Sequence, residues 1–235
     1  PKVRELEEKF ARLCCTKYAV ALNSGTAALH TSLHVAGINQ GDEVITTPFT
    51  FIATANTILM QQAKPVFVDI DPETFNLNPS LINKKLTSKT RGIIPVHLFG
   101  NPCQIDQILK IAKANHLFVL EDCAQCYLGT DRMGRIGGTI GHVGSFSLQS
   151  SKHITCGDGG ILVTNDESLA ERMRKFGGLG FKHIRGDRNK IKKTRDLFQN
   201  PMYLRHDSLG FNYRLSEIGA AIALAQLERL DLFVA

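Results

Sequence analysis

The feature that most constrains the fold of this chain is the alternation of short, continuously apolar segments with longer segments of helical character. Strands that are apolar on both faces are typical of a parallel sheet covered by helices on both sides. The sequence therefore predicts an α/β fold with a mostly parallel central sheet and helices on both faces. The predicted strands are Tyr18–Leu22, Glu43–Thr47, Pro65–Ile70, Gly92–Leu98, Leu117–Glu121, Val143–Leu148 and Gly160–Thr164, and predicted helices include Ala27–Val35, Asp166–Phe176 and Leu215–Leu230.

The composition is that of an ordinary soluble globular protein, with 43% hydrophobic and 21% charged residues. No apolar run approaches the roughly 18–20 residues that cross a bilayer, and the first residues of the sequence do not predict a signal peptide. The six cysteines have irregular spacings, which favours reduced thiols in a cytoplasmic protein. Cys123 and Cys126 form a CxxC pair, but no second pair completes a zinc site, and we interpret them as two buried small side chains rather than a redox pair.

The net charge of +6 is concentrated in one segment, residues 181–205, which holds eight basic and two acidic residues. The rest of the chain is therefore neutral. Binding to nucleic acid usually requires a wider basic surface with interleaved aromatic residues, so we expect no nucleic-acid partner. Two interpretations of this segment remain open: it could be a solvated surface loop, or it could attract an acidic substrate.

Two polar or aromatic motifs follow the first two predicted strands. Ser24-Gly25-Thr26 lies between a strand and a helix, where free backbone N–H groups and the helix dipole attract anions. The motif could be a phosphate-binding cup, although a simple helix cap is the better explanation when the motif is taken alone. Phe51 follows the second strand and could stack on a planar ring, or it could be a core residue.

An acidic pair and a lysine follow two later strands. Glu121 and Asp122 end a buried strand, where a carboxylate needs a cation or hydrogen-bond donors. Lys152 comes just after Val143–Leu148 in a polar turn, and a semi-buried lysine can lose its proton and form a Schiff base. The carboxyl ends of parallel strands meet at one edge of the sheet, so we expect these side chains to line one crevice.

Together these motifs supply what pyridoxal phosphate requires of a protein: a lysine for the aldehyde, a carboxylate for the ring nitrogen, a cup for the phosphate and an aromatic face for the ring. The sequence resembles the DegT/DnrJ/EryC1/StrS sugar aminotransferases, which have the fold type I (aspartate aminotransferase-like) architecture. The resemblance extends over the whole chain and is carried by Ser24–Leu29, Phe49–Thr54, Val96–Gly100, Glu121–Gln125, Ser145–Lys152, Gly157–Gly160 and Gly210–Arg214.

The resemblance implies a role for each candidate site residue. Lys152 would be the Schiff-base lysine and proton shuttle, and Asp122 would pair with the pyridinium nitrogen. Asn212 would reach the phosphate bound by a neighbouring subunit, which implies a homodimer with shared active sites. The remaining cofactor-binding residues would be Ser24, Gly25, Thr26 and Ser147 at the phosphate, Phe51 on the ring face and Gln125 near the phenolic oxygen.

The implied reaction moves an amino group from glutamate or glutamine to a keto-sugar, and a nucleotide-linked keto-deoxyhexose is the favoured acceptor. Such sugars enter polysaccharides and antibiotics. The run Ser147–Lys152 with Thr155 is also similar to aminotransferases that act on ketocyclitols such as scyllo-inosose. A non-catalytic, cofactor-binding regulator is a further alternative, but the presence of both Lys152 and Asp122 argues against it. A dinucleotide-binding dehydrogenase is set aside because no GxGxxG follows the first strand.

The resemblance also implies a domain organisation, because family members continue into a smaller C-terminal domain. We expect residues 1–235 to form the cofactor-binding large domain, with the small domain absent from this chain. Its parts would be an N-terminal helix at 1–14, a core at 15–180, the basic loop at 181–205 and, at 206–235, the start of the connection to the small domain.

Overall fold

A computed structural model of the chain describes residues 1–184 and 200–234. The helices are α1 (Lys2–Leu13), α2 (Gly25–Val35), α3 (Ala53–Met60), α4 (Ile105–Ala114), α5 (Glu167–Gly177), α6 (Glu217–Leu227) and α7 (Leu230–Val234). The strands are β1 (Tyr18–Leu22), β2 (Glu43–Thr46), β3 (Lys64–Phe67), β4 (Thr90–Ile93), β5 (Phe118–Asp122), β6 (Val143–Ser147) and β7 (Gly160–Thr164). Short 3-10 helices occur at Pro79–Lys85 and Leu98–Gly100.

Within the described residues the strands form one seven-stranded sheet in the order β1-β7-β6-β5-β4-β2-β3. Strand β7 is antiparallel to both of its neighbours, and every other neighbouring pair is parallel. Strands β1 to β6 therefore all point the same way, which confirms the predicted mostly parallel sheet. Because β7 runs in reverse, it begins at the edge where the other strands end.

Helices cover both faces of the sheet, as the apolar strands predicted. Side chains of a strand point alternately to opposite faces. In β1, Ala19 and Ala21 pack on the side of α1 and α6, whereas Val20 and Leu22 pack on the side of α2 and α5. A third cluster lies under α4 and the Pro79–Lys85 turn, against β2, β4 and β5.

Several predicted elements have other bounds in the structure; β3, for example, ends at Phe67 rather than at Ile70. Strand β4 stops at Ile93 rather than at Leu98, because Pro95 has no N–H for the ladder and the chain then turns through Phe99, whose φ is 54°. The predicted helix Leu215–Leu230 begins at Glu217 instead, because the Ser216 side chain caps it by accepting a hydrogen bond from the Gly219 N–H.

The basic segment 181–205 falls largely outside the described residues, at 185–199. Its two ends lie side by side, because the N–H of Lys182 donates to the carbonyl of Arg205 over 2.8 Å. Among the described residues, the helices are all too short or too polar to span a bilayer.

Candidate cofactor site

A cavity of about 430 Å³ opens at the sheet edge where β1, β2, β5 and β6 end. The side chains that line it include eight of the nine predicted site residues, namely Ser24, Gly25, Thr26, Phe51, Asp122, Gln125, Ser147 and Lys152. Two depressions of about 490 and 710 Å³ lie near the opposite edge and contain none of them. The expected convergence of strand-end residues in one crevice is therefore confirmed.

The predicted phosphate cup corresponds to a hollow where the start of α2 lies close to the end of β6. Ser24 caps α2, since its Oγ accepts a hydrogen bond from the Ala27 N–H over 3.0 Å. The N–H groups of Gly25 and Thr26 lie in the first turn of α2 and have no acceptor within the helix. A Cβ on Gly25 would lie 2.9 Å from Cβ of Ser147, so only glycine allows this approach. The resulting hollow combines helix N–H groups with hydroxyls, which is the donor set that suits a phosphate.

The Asp122 carboxylate is buried at the floor of the cavity, with 3% of the residue exposed. Its Oδ2 accepts from the Thr54 hydroxyl over 2.9 Å, and its Oδ1 accepts from the Ala124 N–H over 3.1 Å. Burial raises the pKa of Asp122 above its ordinary value, while the hydrogen bonds from Ala124 and Thr54 limit that rise. A buried carboxylate facing a cavity suits a protonated ring nitrogen as its partner.

Lys152 lies on the cavity wall in a turn that follows β6. Its N–H donates to the carbonyl of Gln149 over 3.0 Å. The Gln149 side chain accepts from both the N–H and the hydroxyl of Ser151, at 2.9 and 2.7 Å, and donates to the Ser150 hydroxyl. This single glutamine thus holds Ser150 and Ser151, which lead to the lysine, and the backbone of Lys152 itself.

Tyr127 links the carboxylate side of the cavity to the lysine side. It is buried, and its hydroxyl donates to the carbonyl of Ser147 at the end of β6. Its ring also packs against His153, the neighbour of Lys152, with ring centroids 5.7 Å apart. Sequence reasoning missed Tyr127, Gln149 and Thr54. Thr54 and Gln149 lie inside the segments Phe49–Thr54 and Ser145–Lys152 that carry the family resemblance, and Tyr127 closely follows Glu121–Gln125. None of these positions indicates the contact that the side chain makes.

Glu121 does not share the role of Asp122, although the sequence placed both acids at the same strand end. Neighbouring residues of a strand face opposite sides, and Glu121 turns away from the cavity into a fully buried pocket. Its carboxylate accepts from His97 Nε2 and from the N–H groups of Gly138, Ile140 and Gly141, at 2.5 to 2.9 Å. Burial alone would raise the pKa of Glu121, but these hydrogen bonds outweigh it and leave the pKa lowered. His97 Nδ1 accepts the Cys103 N–H over 2.9 Å, so the ring proton that meets Glu121 is carried on Nε2.

Asn212 is the one predicted site residue that does not line the cavity. It is exposed beside the cup, where its carbonyl accepts from the Asn23 side chain over 3.4 Å and its Oδ1 accepts from Arg214 over 3.0 Å. Its predicted contact with a second subunit stays a prediction.

The cysteines of the CxxC pair do not line the cavity. Cys123 and Cys126 are both fully buried, and both are free thiols. Burial raises the pKa of both thiols, most strongly that of Cys123. The interpretation of two buried small side chains is confirmed. The portion of the chain that the structure describes also contains no cluster of side chains suited to a metal ion.

The seven-stranded sheet with helices on both faces has the architecture of the fold type I pyridoxal-phosphate-dependent aminotransferases. The chain belongs to the DegT/DnrJ/EryC1/StrS aminotransferase family, whose model matches residues 1–235. Members of this family depend on pyridoxal phosphate.

Three relatives illustrate the similarity. A GDP-perosamine synthase of Escherichia coli O157:H7 is 42% identical over 232 residues, which cover 99% of this chain and 59% of that protein. The solved aminotransferase from Psychrobacter cryohalolentis is 38% identical with a TM-score of 0.88, over 97% of this chain and 56% of that one. NtdA from Bacillus subtilis, solved with bound cofactor PMP, is 30% identical with a TM-score of 0.83, over 99% of this chain and 49% of that one. The chain thus spans 49–59% of the length of these relatives.

Proposed function

We propose that this chain is the cofactor-binding large domain of a pyridoxal-phosphate-dependent aminotransferase that transfers an amino group from glutamate or glutamine to a keto-sugar. The observation that carries the proposal is that Lys152 and Asp122 line the same cavity as the phosphate cup. None of these three parts is specific alone, but their combination matches the chemical groups of one cofactor.

The residues present fit that cofactor. Its phosphate would bind in the hollow between α2 and β6, which exists only because Gly25 has no Cβ. The groups that would hold it there belong to Ser24, Gly25, Thr26 and Ser147. Asp122 would hold a proton on its ring nitrogen. Phe51, which is 72% exposed on the cavity wall, would cover the face of the ring, and Gln125 would contact it near the phenolic oxygen.

When bound, the cofactor supplies an aldehyde that links to amines and a ring that delocalises negative charge from the adjoining carbon. Lys152 Nζ would take a proton from the α-carbon of the amino donor and deliver one to the sugar carbon that receives the amino group. Asp122, supported by Thr54 and Ala124, would keep the ring nitrogen protonated throughout. The Gln149 turn would hold Lys152 close enough for both transfers.

A nucleotide-linked keto-deoxyhexose is the acceptor we propose, and the similarity to a GDP-perosamine synthase supports it. The basic residues of segment 181–205 would attract its diphosphate. A free ketocyclitol is the alternative acceptor. Measuring transamination with a panel of acceptors would distinguish it from a nucleotide sugar. We further propose a homodimer completed by Asn212, and a cytoplasmic location on the ground that the six cysteines are free.

The first experiment is an absorbance spectrum of the purified protein with added pyridoxal phosphate. We expect a visible band that borohydride abolishes, and peptide mapping should then place the reduced cofactor on Lys152. Lys152→Ala should lose both the trapped adduct and transamination. Lys110→Ala, on the exposed surface of α4, is the matched control and should keep both. An adduct on a different lysine would refute the assignment.

A further inference from the structure

Two threonine hydroxyls form consecutive hydrogen bonds that lead to the Asp122 carboxylate. Thr54, in the first turn of α3, is 1% exposed, and its Oγ1 lies 2.9 Å from Asp122 Oδ2. Thr50 lines the cavity and is half-buried, and its Oγ1 lies 3.0 Å from that of Thr54. The two hydroxyls thus connect the cavity wall to the buried carboxylate.

Which hydroxyl donates in each of these two hydrogen bonds follows from the number of protons available. A hydroxyl has one proton to donate, and an ionised carboxylate can only accept. The proton of Thr54 is therefore committed to Asp122, so its oxygen must accept from Thr50. Hydrogen bonds that run in one direction strengthen one another, so Thr50 increases the ability of Thr54 to donate.

Thr54 differs from two other buried hydroxyls on neighbouring helical turns, those of Ser32 and Thr57. A buried serine or threonine in a helix commonly donates to a carbonyl one turn back. Ser32 donates to the Ala28 carbonyl over 3.0 Å, and Thr57 donates to the Thr54 carbonyl over 3.1 Å. Thr54 instead donates across to another element, 68 residues away in the chain.

The other groups around Asp122 cannot replace this donor. Ala124 donates to the second carboxylate oxygen, Oδ1. His97 directs its Nε2 proton to Glu121, and Glu121 itself turns toward Gly138–Gly141. Lys152 lines the same cavity and its charge lowers the pKa of Asp122, but it is the group that the proposed reaction uses. Thr54 is thus the side-chain donor that Asp122 has on Oδ2.

We propose that Thr54, backed by Thr50, is a positioning residue that keeps Asp122 ionised and turned toward the ring nitrogen of the cofactor. This inference rests on the proposed function, since it assigns Thr54 and Thr50 to the site where the cofactor would bind. It predicts that deleting the hydroxyl of Thr54 weakens the site without altering the packing of α3, because valine has nearly the shape of threonine.

The test compares Thr54→Val with Thr54→Ser, which restores a hydroxyl, and with Thr57→Val, which deletes a neighbouring buried hydroxyl that never meets Asp122. The first measurement is the dissociation constant of pyridoxal phosphate, from absorbance titration at pH 8. We expect Thr54→Val to raise it about tenfold or more, because a hydrogen bond to a charged group is lost. Thr54→Ser should recover most of the affinity, and Thr57→Val should keep it within about twofold.

The second measurement needs no cofactor. Unfolding by urea is followed at pH 8 and again near pH 4.5 on the cofactor-free protein. The pKa of Asp122 in the folded protein is already raised above its unfolded value by burial, and Thr54→Val should raise it further. The stability deficit of Thr54→Val should therefore be larger at pH 8, where Asp122 is ionised, and shrink as the pH falls through its folded pKa. The deficit of Thr57→Val should not change with pH.

The inference would be overturned if Thr54→Val matched Thr57→Val in both cofactor affinity and pH dependence. Failure of the proposed function has a different signature, because the unsubstituted protein would then lack the borohydride-sensitive band on Lys152. Retention of that band in every variant, together with indistinguishable affinities, would leave the aminotransferase proposal standing and reject the role of Thr54.

Discussion

The backbone of Gly25 lies against Ser147 across the predicted phosphate cup. A Cβ added to Gly25 would lie only 2.9 Å from Cβ of Ser147. Carbon atoms at that distance repel strongly, so one of the two segments must move when a side chain is added. These segments are the start of α2 and the end of β6, which together form the cup.

We therefore predict that Gly25→Ala separates α2 from β6. It should cost about 1–3 kcal/mol of unfolding free energy and weaken pyridoxal phosphate binding at least about tenfold. Urea unfolding and absorbance titration measure the two effects. Adding Ser147→Gly removes the opposing Cβ and should restore most of the stability but not the affinity, since the Ser147 hydroxyl is lost. Equal stability of Gly25→Ala and the unsubstituted protein would show that the contact is not tight.

Asp122→Asn should leave the protein folded but slow transamination by at least about a hundredfold, because an amide cannot stabilise a protonated ring nitrogen. Circular dichroism and single-turnover kinetics check the two parts of this prediction. The double variant with Thr54→Val should be hardly slower than Asp122→Asn alone, since the two residues act as one unit. A rate near that of the unsubstituted protein would remove Asp122 from the proposed mechanism.

Glu121→Gln should destabilise the fold by roughly 2–4 kcal/mol at pH 7, because the amide presents a donor where the backbone N–H groups of Gly138 to Gly141 also donate. The pKa of Glu121 is lowered in the folded protein, so its contribution is present above the unfolded value of 4.5 and is lost as the pH falls through the folded pKa. Urea unfolding at pH 7 and pH 4 should show the deficit shrinking at the lower pH. A pH-independent deficit would contradict the proposed ionised state.

A homodimer with shared sites can be tested by subunit mixing. We expect Lys152→Ala and Asn212→Ala to be inactive separately, and their mixture to recover activity, because one site of each mixed dimer would contain both residues. Exchange is confirmed independently by mass spectrometry of differently tagged subunits. Exchange without recovered activity would place Asn212 and Lys152 in the same subunit's site.

The basic segment separates the two substrate hypotheses. Neutralising Lys190, Lys192, Lys193 and Arg195 together should raise the KM for a nucleotide-linked sugar and reduce its dependence on salt. A free ketocyclitol carries no phosphate, so its KM should not change. These four residues lie outside the described part of the chain, and an unchanged KM for the nucleotide sugar would assign them to a solvated loop.

The sequence was sufficient to predict the sheet and the strand-end residues, because both depend on local signals. A continuously apolar strand followed by a polar turn marks a carboxyl end, and parallel strands bring such ends together. Contacts between distant residues were not predictable in this way. Nothing near Thr54 indicates that its hydroxyl meets a carboxylate 68 residues away, and Tyr127 gave no sign of its bond to Ser147. Glu121 and Asp122 were treated as a pair, although strand alternation separates them.

The reversed direction of β7 has a consequence for the tether that carries Lys152. Residues 148–159 leave the sheet at Ser147 and return at Gly160, which are partners in the same ladder, and Leu148 donates to Gly159 just beyond them. The two ends of this loop are thus held next to each other by the sheet, so the loop is closed and its length is set by its number of residues. A closed loop of this kind has little freedom left to lose when a ligand arrives. Inserting or deleting even one residue in it should therefore displace the lysine, whereas loops at the opposite edge can vary in length without reaching the site.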